Sequence, residues 1–194
     1  MVLGIYTFAQ AQNKSKGAEF AIGVGYNGAY VTESGSGQTT KILSGYNVAA
    51  SVDNYFSEAW SLKAKAILDK KGWSNGFLTT PSGTSYGVNF DLTYLTVPVM
   101  ANWHFGKTRN WYLNFGPYIG FLMSAKAAGY DVKEVFNSTD AGLDVGIGVK
   151  LPISARNKFF IEYDGQSGVT NVFTSQSPTK IQNVRGSFNV GITF

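Results

Sequence analysis

The side chains best suited to acid–base chemistry in this chain are one histidine and scattered carboxylates. His104 is the single histidine and cysteine is absent, which excludes thiol catalysis, disulfides and cysteine-ligated metals. Asn102, Asn114 and Glu162 are expected to lie at about the same height as His104. A His–carboxylate pair with Glu162 is therefore the acid–base arrangement to consider. A hydrolase needs a histidine beside both a nucleophile and a carboxylate, and the pattern does not show that grouping. We expect His104 to make hydrogen bonds, and we expect no catalytic residue, no metal and no cofactor.

A second group of candidate residues is a set of charges that alternate with small residues. They share a face with glycine, alanine, serine and asparagine, and both signs occur. If that face is enclosed, its charges must be paired or hydrated. We predict a paired network that fills the interior, with a proton or ion path as the alternative. The predicted network comprises Lys63, Lys65, Asp69, Asp144, Lys150, Glu162, Asp164 and Arg185.

The amino-acid composition limits the classes of protein to which this chain can belong. The 194 residues suit one domain, and charged residues make up 14%, against roughly 25% in soluble domains. Aromatic residues make up 15%, which excludes a disordered chain. No run approaches the ~20 apolar residues of a membrane-spanning helix. The net charge of +4 is scattered and no G-x-x-x-x-G-K-[ST] sequence occurs, so we expect no nucleic-acid partner and no phosphate-binding loop.

Eight segments alternate between large apolar residues and small or polar ones, a pattern typical of β-strands. In a soluble barrel the large residues would face the core, and the other face would be rich in lysine and glutamate. Here the second face is small and suits the narrow lumen of an eight-stranded barrel. The large residues then face lipid, as in outer-membrane barrels, and a soluble lipocalin-like barrel is the alternative. The segments lie near residues 20–27, 46–52, 60–69, 95–105, 111–121, 143–150, 159–164 and 184–194.

The lengths of the links predict an orientation. Three links are short and lie near 53–58, 106–110 and 151–157. The other four have about 15 residues against the ~2–5 of hairpin loops, and they lie near 31–45, 70–85, 124–139 and 167–182. Outer-membrane barrels place short turns in the periplasm and long loops outside. We therefore predict an all-β, eight-stranded antiparallel up-and-down transmembrane β-barrel, monomeric, in the outer membrane, with both termini periplasmic. Aromatic residues flank the short turns, where the membrane interface is expected: Tyr55, Phe56, Trp60, Trp103, Phe105, Trp111, Tyr112, Phe159 and Phe194.

The first residues form a separate unit. Residues 1–11 read MVLGIYTFAQA, an apolar run that ends in Ala9-Gln10-Ala11, the A-x-A pattern of signal-peptidase sites. We interpret 1–11 as a signal-peptide remnant and 12–194 as the outer-membrane β-barrel domain. An ordinary first strand is the alternative for 1–11.

A change of phase marks the middle of the chain. Large residues are even-numbered from Tyr86 to Tyr94 and odd-numbered from Leu95 onward. One extra residue would produce such a change, so we predict a β-bulge near Tyr94–Leu95, with Pro98 adding to the break. The part before the bulge is expected to extend a hairpin above the membrane.

Five short motifs occur in an ordered series along the chain: Lys71-Gly72-Trp73, Tyr94-Leu95-Thr96-Val97-Pro98, Gly116-Pro117-Tyr118-Ile119-Gly120, Gly142-Leu143-Asp144-Val145-Gly146-Ile147-Gly148 and Gly168-Val169-Thr170-Asn171. Their order and spacing resemble the PorT-like outer-membrane β-barrel family common in Bacteroidota, over nearly the whole mature chain. The resemblance implies an eight-stranded barrel in the outer membrane. Its name-giving member is associated with type IX secretion, a role that these motifs do not carry over, and no family catalytic motif exists to transfer.

The long loops are the surface on which we expect the chain to act. Aromatic residues in polar loops are candidate anchors for another envelope protein, and the alternative is that they pack on one another to cap the barrel. Loop lysines offer contacts to the lipid A phosphates of lipopolysaccharide, against the alternative of a solvated surface. The candidate anchors are Trp73, Phe77, Tyr130, Phe136 and Phe173, and the lysines are Lys41, Lys70, Lys71, Lys126, Lys133 and Lys180.

These observations favour a non-enzymatic integral outer-membrane protein, a structural or accessory subunit of an envelope complex that binds through its outer loops. Two other functions are the alternatives. One is a lipid-modifying outer-membrane enzyme, which the position of His104 disfavours. The other is a narrow solute pore, which charges of both signs in the lumen disfavour.

Overall fold

The fold is a closed ring of eight long antiparallel strands. A computed structural model describes residues 17–33, 40–81, 83–174 and 180–194, and the predicted signal-peptide remnant 1–11 lies outside them. Within the described residues, no helix is long and apolar enough to cross a membrane. The strands are β1 (Ala18–Glu33), β2 (Leu43–Tyr55), β3 (Trp60–Thr80), β4 (Gly83–Phe105), β5 (Trp111–Ala127), the two-residue β6 (Tyr130–Asp131), β7 (Thr139–Pro152), β8 (Lys158–Gly168) and β9 (Ile181–Thr193).

Neighbouring strands pair in the order β1–β2–β3–β4–β5–β7–β8–β9, and β9 returns to β1. At the seam the backbone N–H of Phe20 donates to the carbonyl of Phe194 at 3.1 Å, and Phe194 donates back to Phe20 at 2.9 Å. Such closure leaves the wall without a sheet edge. The predicted all-β, eight-stranded antiparallel up-and-down barrel is confirmed.

The wall is apolar outside and polar inside, the inverse of a soluble protein. In β3, for example, Leu62 and Leu68 are exposed, whereas Lys63 and Lys65 between them are buried. Successive side chains of a strand point to opposite faces, so every long strand contributes to both surfaces. The exposed wall includes Phe20, Ile22, Val24, Val48, Leu62, Leu68, Leu95, Val99, Phe115, Ile119, Phe121, Leu143, Val145, Ile147, Phe188 and Ile192.

The two ends of the barrel differ. Residues 56–59, 106–110 and 153–157 link strands at the end that also carries Ala18 and Thr193, which we call the turn end. The other four links lie at the opposite end, the loop end. One predicted long link is wrong: residues 70–85 are mostly strand, because β3 continues to Thr80 and β4 begins at Gly83. The two strands instead form a hairpin that extends past its neighbours, as the sequence predicted.

A bulge does lie beside Tyr94, close to the predicted position near Tyr94–Leu95, but its extra residue is in the facing strand β5 and not in β4. Even-numbered residues of β4 face the interior without interruption over 88–104. The register between β4 and β5 shifts beside Tyr94, where Met123 of β5 is the additional residue. The phase change in the sequence therefore reflects a change in what fills the lumen, from apolar to polar, along an unbroken strand.

Aromatic side chains enrich the outer wall at the turn end. Trp60 stacks on Trp103 with ring centroids 6.2 Å apart, and Trp103 stacks on Phe105 at 5.0 Å. Two residues that we expected in this belt point inward instead. Tyr112 is buried in the lumen, and the Tyr55 hydroxyl accepts a hydrogen bond from a lumen lysine.

Val145, at the middle of β7, tests which solvent the wall faces. We expect Val145→Arg to lower the free energy of unfolding by about 2–4 kcal/mol, the cost of a charge on the lipid face near the midplane. Ser51→Ala, on the lumen side of β2, is the control and should change it by less than about 0.5 kcal/mol. Both values come from urea titrations in lipid vesicles. Equal losses for the two variants would mean that inside and outside are assigned wrongly.

Candidate functional site in the lumen and at the loop end

A continuous series of ion pairs runs through the lumen from the turn end to the middle of the barrel. We call it the charge chain. It starts at the pair of Lys158 and Glu19, 2.7 Å apart, and ends at the pair of Arg185 and Asp69, 2.8 Å apart. Apart from the two residues at its turn end, every member is buried. The order is Lys158–Glu19–Lys150–Asp53–Lys63–Glu162–Lys65–Asp164–Arg185–Asp69.

Two cations make the tightest contacts of the charge chain. Lys65 Nζ lies 2.6 Å from Glu162 Oε1 and 2.7 Å from Asp164 Oδ2. Arg185 donates from Nε to Asp69 at 2.8 Å and from Nη1 to Asp164 at 2.7 Å. The bonds of Lys65 connect β3 with β8, and the bonds of Arg185 connect β9 with β3 and with β8. Because an unpaired buried charge is strongly destabilising, each cation ties together walls that are not neighbours in the ring.

Seven of the eight residues of the predicted network belong to the charge chain, and the eighth, Asp144, lies outside it. Asp144 is buried and accepts a hydrogen bond from Gln166 Nε2 at 2.8 Å. In the described part of the chain, no cation pairs with Asp144 and its Oδ1 has no hydrogen-bond partner. The structure thus brings Asp144 beside the network without neutralising it.

Sequence reasoning missed three members of the charge chain: Glu19, Asp53 and Lys158. Asp53 lies in the predicted turn 53–58, but β2 continues to Tyr55 and Asp53 faces the lumen. The alternation that places Asn47 inside predicts Asp53 as well, if the predicted strand 46–52 is extended by one residue. The same extension of β1 finds Glu19.

A separate buried ion pair lies nearer the loop end. Lys71 Nζ is 2.9 Å from Asp140 Oδ2, and it lies over the rings of Tyr118 and Tyr94 at 4.5 Å and 5.2 Å from their centroids. The assignment of Lys71 to the loop lysines is therefore wrong. Its physical cause is that β3 runs on past residue 70 with its odd-numbered side chains still facing inward. The aromatic rings add cation–π attraction where water is scarce.

The charge chain leaves little space beside it. A cavity of about 30 Å³ is lined by Lys63, Lys65, Glu162, Asp164 and Arg185, among other residues. That volume accommodates water but excludes a sugar or a nucleotide. The charges are thus arranged to satisfy one another, with no room for a solute between them.

His104 is buried at the turn end in a group that has the composition, but not the order, of a catalytic triad. Ser61 Oγ lies 3.0 Å from Asp53 Oδ1 and 3.1 Å from His104 Nε2. The Asp53 carboxylate, paired with two lysines, can only accept, so the Ser61 hydroxyl donates to it and accepts from His104. A triad needs the histidine between the serine and the carboxylate. Here the serine occupies the middle and its proton is directed away from the imidazole.

Metal binding has no basis in the same set of residues. Over the described ranges, no three or more histidines, cysteines or carboxylates are grouped so that they could hold a metal ion. The carboxylates of the charge chain already bind lysine or arginine.

Above the ion pairs the lumen is closed by packed rings, which we call the aromatic cap: Trp73, Phe90, Phe136 and Phe173. Trp73 stacks on Phe90 with centroids 4.6 Å apart, and Phe136 stacks on Phe173 at 5.0 Å. Residues 128–138 and 169–174 are joined next to these rings, since Asn137 Nδ2 donates to the carbonyls of Asn171 and Phe173 at 2.8 Å each. The cap therefore seals the loop end with apolar contacts between strands and loops.

The aromatic cap corrects part of the predicted interaction surface. Trp73 is only 5% exposed and Phe136 only 3%, so neither is available as an anchor; Phe173 is half-buried against them. These rings pack together because β3 and β4 continue past the ion pairs toward the loop end, where their interior faces carry apolar residues. Phe77 and Tyr130, the other two candidates, are exposed.

The most prominent external feature is a two-stranded extension, Ser74–Thr80 paired with Gly83–Asn89, which we call the outer ribbon. At ~3.3 Å per residue it reaches about 20 Å beyond Trp73. Phe77 and Tyr86 lie directly opposite each other in the register and are 66% and 82% exposed. On the other face of the ribbon, Leu78 packs against the cluster that contains the cap. One face is thus fixed to the barrel and the other is presented to the outside.

Comparison with known proteins assigns the family. The family model described as "Outer membrane protein beta-barrel domain" matches residues 8–174. The chain belongs to this outer-membrane β-barrel family. No curated protein matches it at a significant level. The membrane interpretation of the inverted wall therefore agrees with the family of the chain.

Solved structures of small outer-membrane barrels show the same fold. The outer membrane protein OprG from Pseudomonas aeruginosa aligns with a TM-score of 0.55 and 13% identity, over 92% of this chain and 95% of OprG. Neisserial surface protein A aligns with a TM-score of 0.51 and 16% identity, over 92% of this chain and 98% of that protein. At these identities the likeness concerns architecture and carries no assignment of function.

Arg185 tests the energetic importance of the charge chain. We expect Arg185→Ala to lower the free energy of unfolding by about 3–5 kcal/mol, because it leaves Asp69 buried without its cation. Lys70→Ala, which breaks an ion pair with Asp91 at the exposed surface, should cost less than about 1 kcal/mol. Urea unfolding in one detergent measures both variants. A similar loss for both would show that the lumen pairs are as hydrated as surface pairs.

Trp73 tests the aromatic cap. Trp73→Ala should lower the free energy of unfolding by about 3–5 kcal/mol, since it removes the ring on which three others pack. Phe77→Ala, four residues along the same strand but exposed, should change it by less than about 0.5 kcal/mol. Thermal unfolding followed by near-ultraviolet circular dichroism distinguishes them, and a larger effect at Phe77 would contradict the cap.

Proposed function

We propose that this protein is a non-enzymatic outer-membrane barrel that acts as a structural or accessory subunit of an envelope complex, with the outer ribbon as its interaction surface. The observation that carries the proposal is that the lumen is filled by the protein's own side chains, whereas one face of the outer ribbon is exposed. Ion pairs occupy the lumen and rings close it. Function is thereby left to the outer surface, where Phe77 and Tyr86 are presented.

The geometry supports this function over the two alternatives. A solute pore needs an open path, yet Lys65 and Arg185 bridge the lumen at its middle and the aromatic cap lies above them. A lipid-modifying enzyme needs a base that faces a nucleophile near the membrane surface. His104 is buried instead, and it donates to Ser61.

We further propose that the termini and the turn end face the periplasm, and that the chain is PorT-like within its family. Short links and the tryptophan-rich belt at the turn end support the orientation. The motifs from Lys71-Gly72-Trp73 to Gly168-Val169-Thr170-Asn171 support the kinship. Exposed lysines at the loop end, such as Lys41, Lys126 and Lys180, would meet lipopolysaccharide phosphates on that side.

Deletion of the outer ribbon tests the proposed function. Residues 75–88 are replaced by Asn-Gly, so that Ser74 and Asn89, next to the regular pair Trp73–Phe90, are joined by a tight hairpin turn. The shortened barrel should still fold, show heat-dependent gel mobility and give no stable conductance in planar bilayers. It should lose the envelope proteins that co-purify with the full chain from native membranes in mild detergent.

Tyr130→Ser, at another exposed loop residue, is the matched control and should keep those partners. Retention of every partner by the shortened barrel would contradict the ribbon as the interaction surface. Steady ion currents from the full chain would favour the pore.

A further inference from the structure

The outer ribbon has a free edge along β4. The pairing of β4 with β5 ends at Phe90 and Ala127, so Gly83–Asn89 has β3 on one side only. The neighbouring link 128–138 is described throughout and pairs elsewhere: Tyr130–Asp131 pairs with β5, and Phe136 pairs with Phe173. Within the described residues, nothing covers this edge. Alternate N–H and C=O groups of Gly83–Asn89 therefore point outward without a strand partner.

This edge carries none of the charged side chains that proteins commonly use to protect exposed strands. Edge strands are usually blocked by lysine, by inward-pointing charges or by proline. Between Lys71 and Asp91 there is no charged residue, and Pro81 lies in the turn, outside the edge. Two glycines of this strand have a positive φ, +132° at Gly83 and +73° at Gly87, and the register with β3 shifts at a bulge beside Gly87. Thr84–Tyr86 beyond it forms an extended, uncharged segment at the far end of the ribbon.

We propose that the β4 edge of the outer ribbon binds an extended, uncharged segment of another envelope protein by β-strand addition. The inference rests on the proposed function and names the mode of contact. Main-chain hydrogen bonds to the edge supply affinity, and side chains on the exposed face supply selectivity. Phe77 and Tyr86 lie together on that face, next to the edge, where they contact apolar side chains of the added strand.

The absence of charge indicates the chemistry of the partner. Lipid A phosphates and nucleic acid are held by lysine and arginine, and the ribbon has neither. An extended peptide needs only backbone donors, backbone acceptors and an apolar surface beside them. The ribbon provides these three features, and it extends about 20 Å beyond Trp73 at the ~3.3 Å rise of a strand.

The probe is a labelled synthetic peptide that copies Ser74–Thr80, the sequence that already pairs with β4 on its inner edge. Fluorescence anisotropy with the purified full chain should show saturable binding. A peptide N-methylated on alternate residues, which lacks half of its N–H donors, is the control and should bind at least 10-fold more weakly. Failure of the unmodified peptide to bind, or equal binding of the methylated one, overturns strand addition.

Two proline variants locate the contact. In a strand, neighbouring residues direct their N–H groups to opposite edges, so Thr84→Pro and Ser85→Pro remove donors from different sides. Backbone NMR identifies the variant that keeps the β3–β4 pairing. That variant should lose peptide binding at least 10-fold, and unchanged binding would place the contact elsewhere.

A comparison of the ribbon deletion with the edge proline variant tests this inference separately from the proposed function. If ribbon deletion removes the native partners but the edge proline variant keeps them, the ribbon is the interaction surface and strand addition is wrong. If deletion removes none of the partners, the proposed function fails, and the peptide titration still tests independently whether the β4 edge binds an added strand.

The chain has no cysteine, so Thr84→Cys reports on self-association. Efficient disulfide cross-linking between copies would make a second copy the occupant and overturn the assignment to another protein.

Discussion

The constraint on which the structure depends is that charges enclosed by a lipid-facing wall must neutralise one another. The lumen leaves little space for water, so its buried lysines and carboxylates pair within the barrel, with Asp144 as the exception described above. The charge chain meets this requirement by joining residues of β1, β2, β3, β7, β8 and β9 into one series. Its contacts cross the lumen, whereas the backbone ladder runs around it. The two sets of bonds together fix both the register and the cross-section of the barrel.

This solution determines where the protein can act. Polar side chains fill the lumen from the turn end to the Lys71–Asp140 pair, and apolar rings fill it above. Along β4 the interior residues change from apolar to polar while the same even-numbered positions continue to face inward. The backbone of the strand therefore gives no sign of this change in the lumen. Once the interior is occupied at both levels, the wall and the loop end are the remaining surfaces. At the loop end, the outer ribbon carries two large exposed rings, Phe77 and Tyr86, on a paired backbone.

Alternation of residue size was enough to predict the strands, the inverted wall and seven members of the charge chain. It failed where a strand ends, because periodicity does not say how far a ladder of hydrogen bonds continues. Asp53 and Lys71 were assigned to links for that reason, although each continues the interior parity of its strand. The phase change at Tyr94 was misread because large residues on the interior face look like a shift of the backbone. Trp73 and Phe136 were expected at the surface, since burial by loops from distant parts of the chain leaves no local pattern.

The charge chain also governs how the barrel can be made. Glu19 in the first strand is bound to lysines of β7 and β8, and Arg185 in the last strand neutralises Asp69 of β3. A nascent chain that lacks its final strand therefore carries uncompensated carboxylates behind a wall with two open edges. Such contacts between distant positions make closure a late and cooperative event. Loss of the last strand removes Arg185 and leaves Asp69 and Asp164 without that cation, so we expect a chain without β9 to be much less stable in the membrane than the complete barrel.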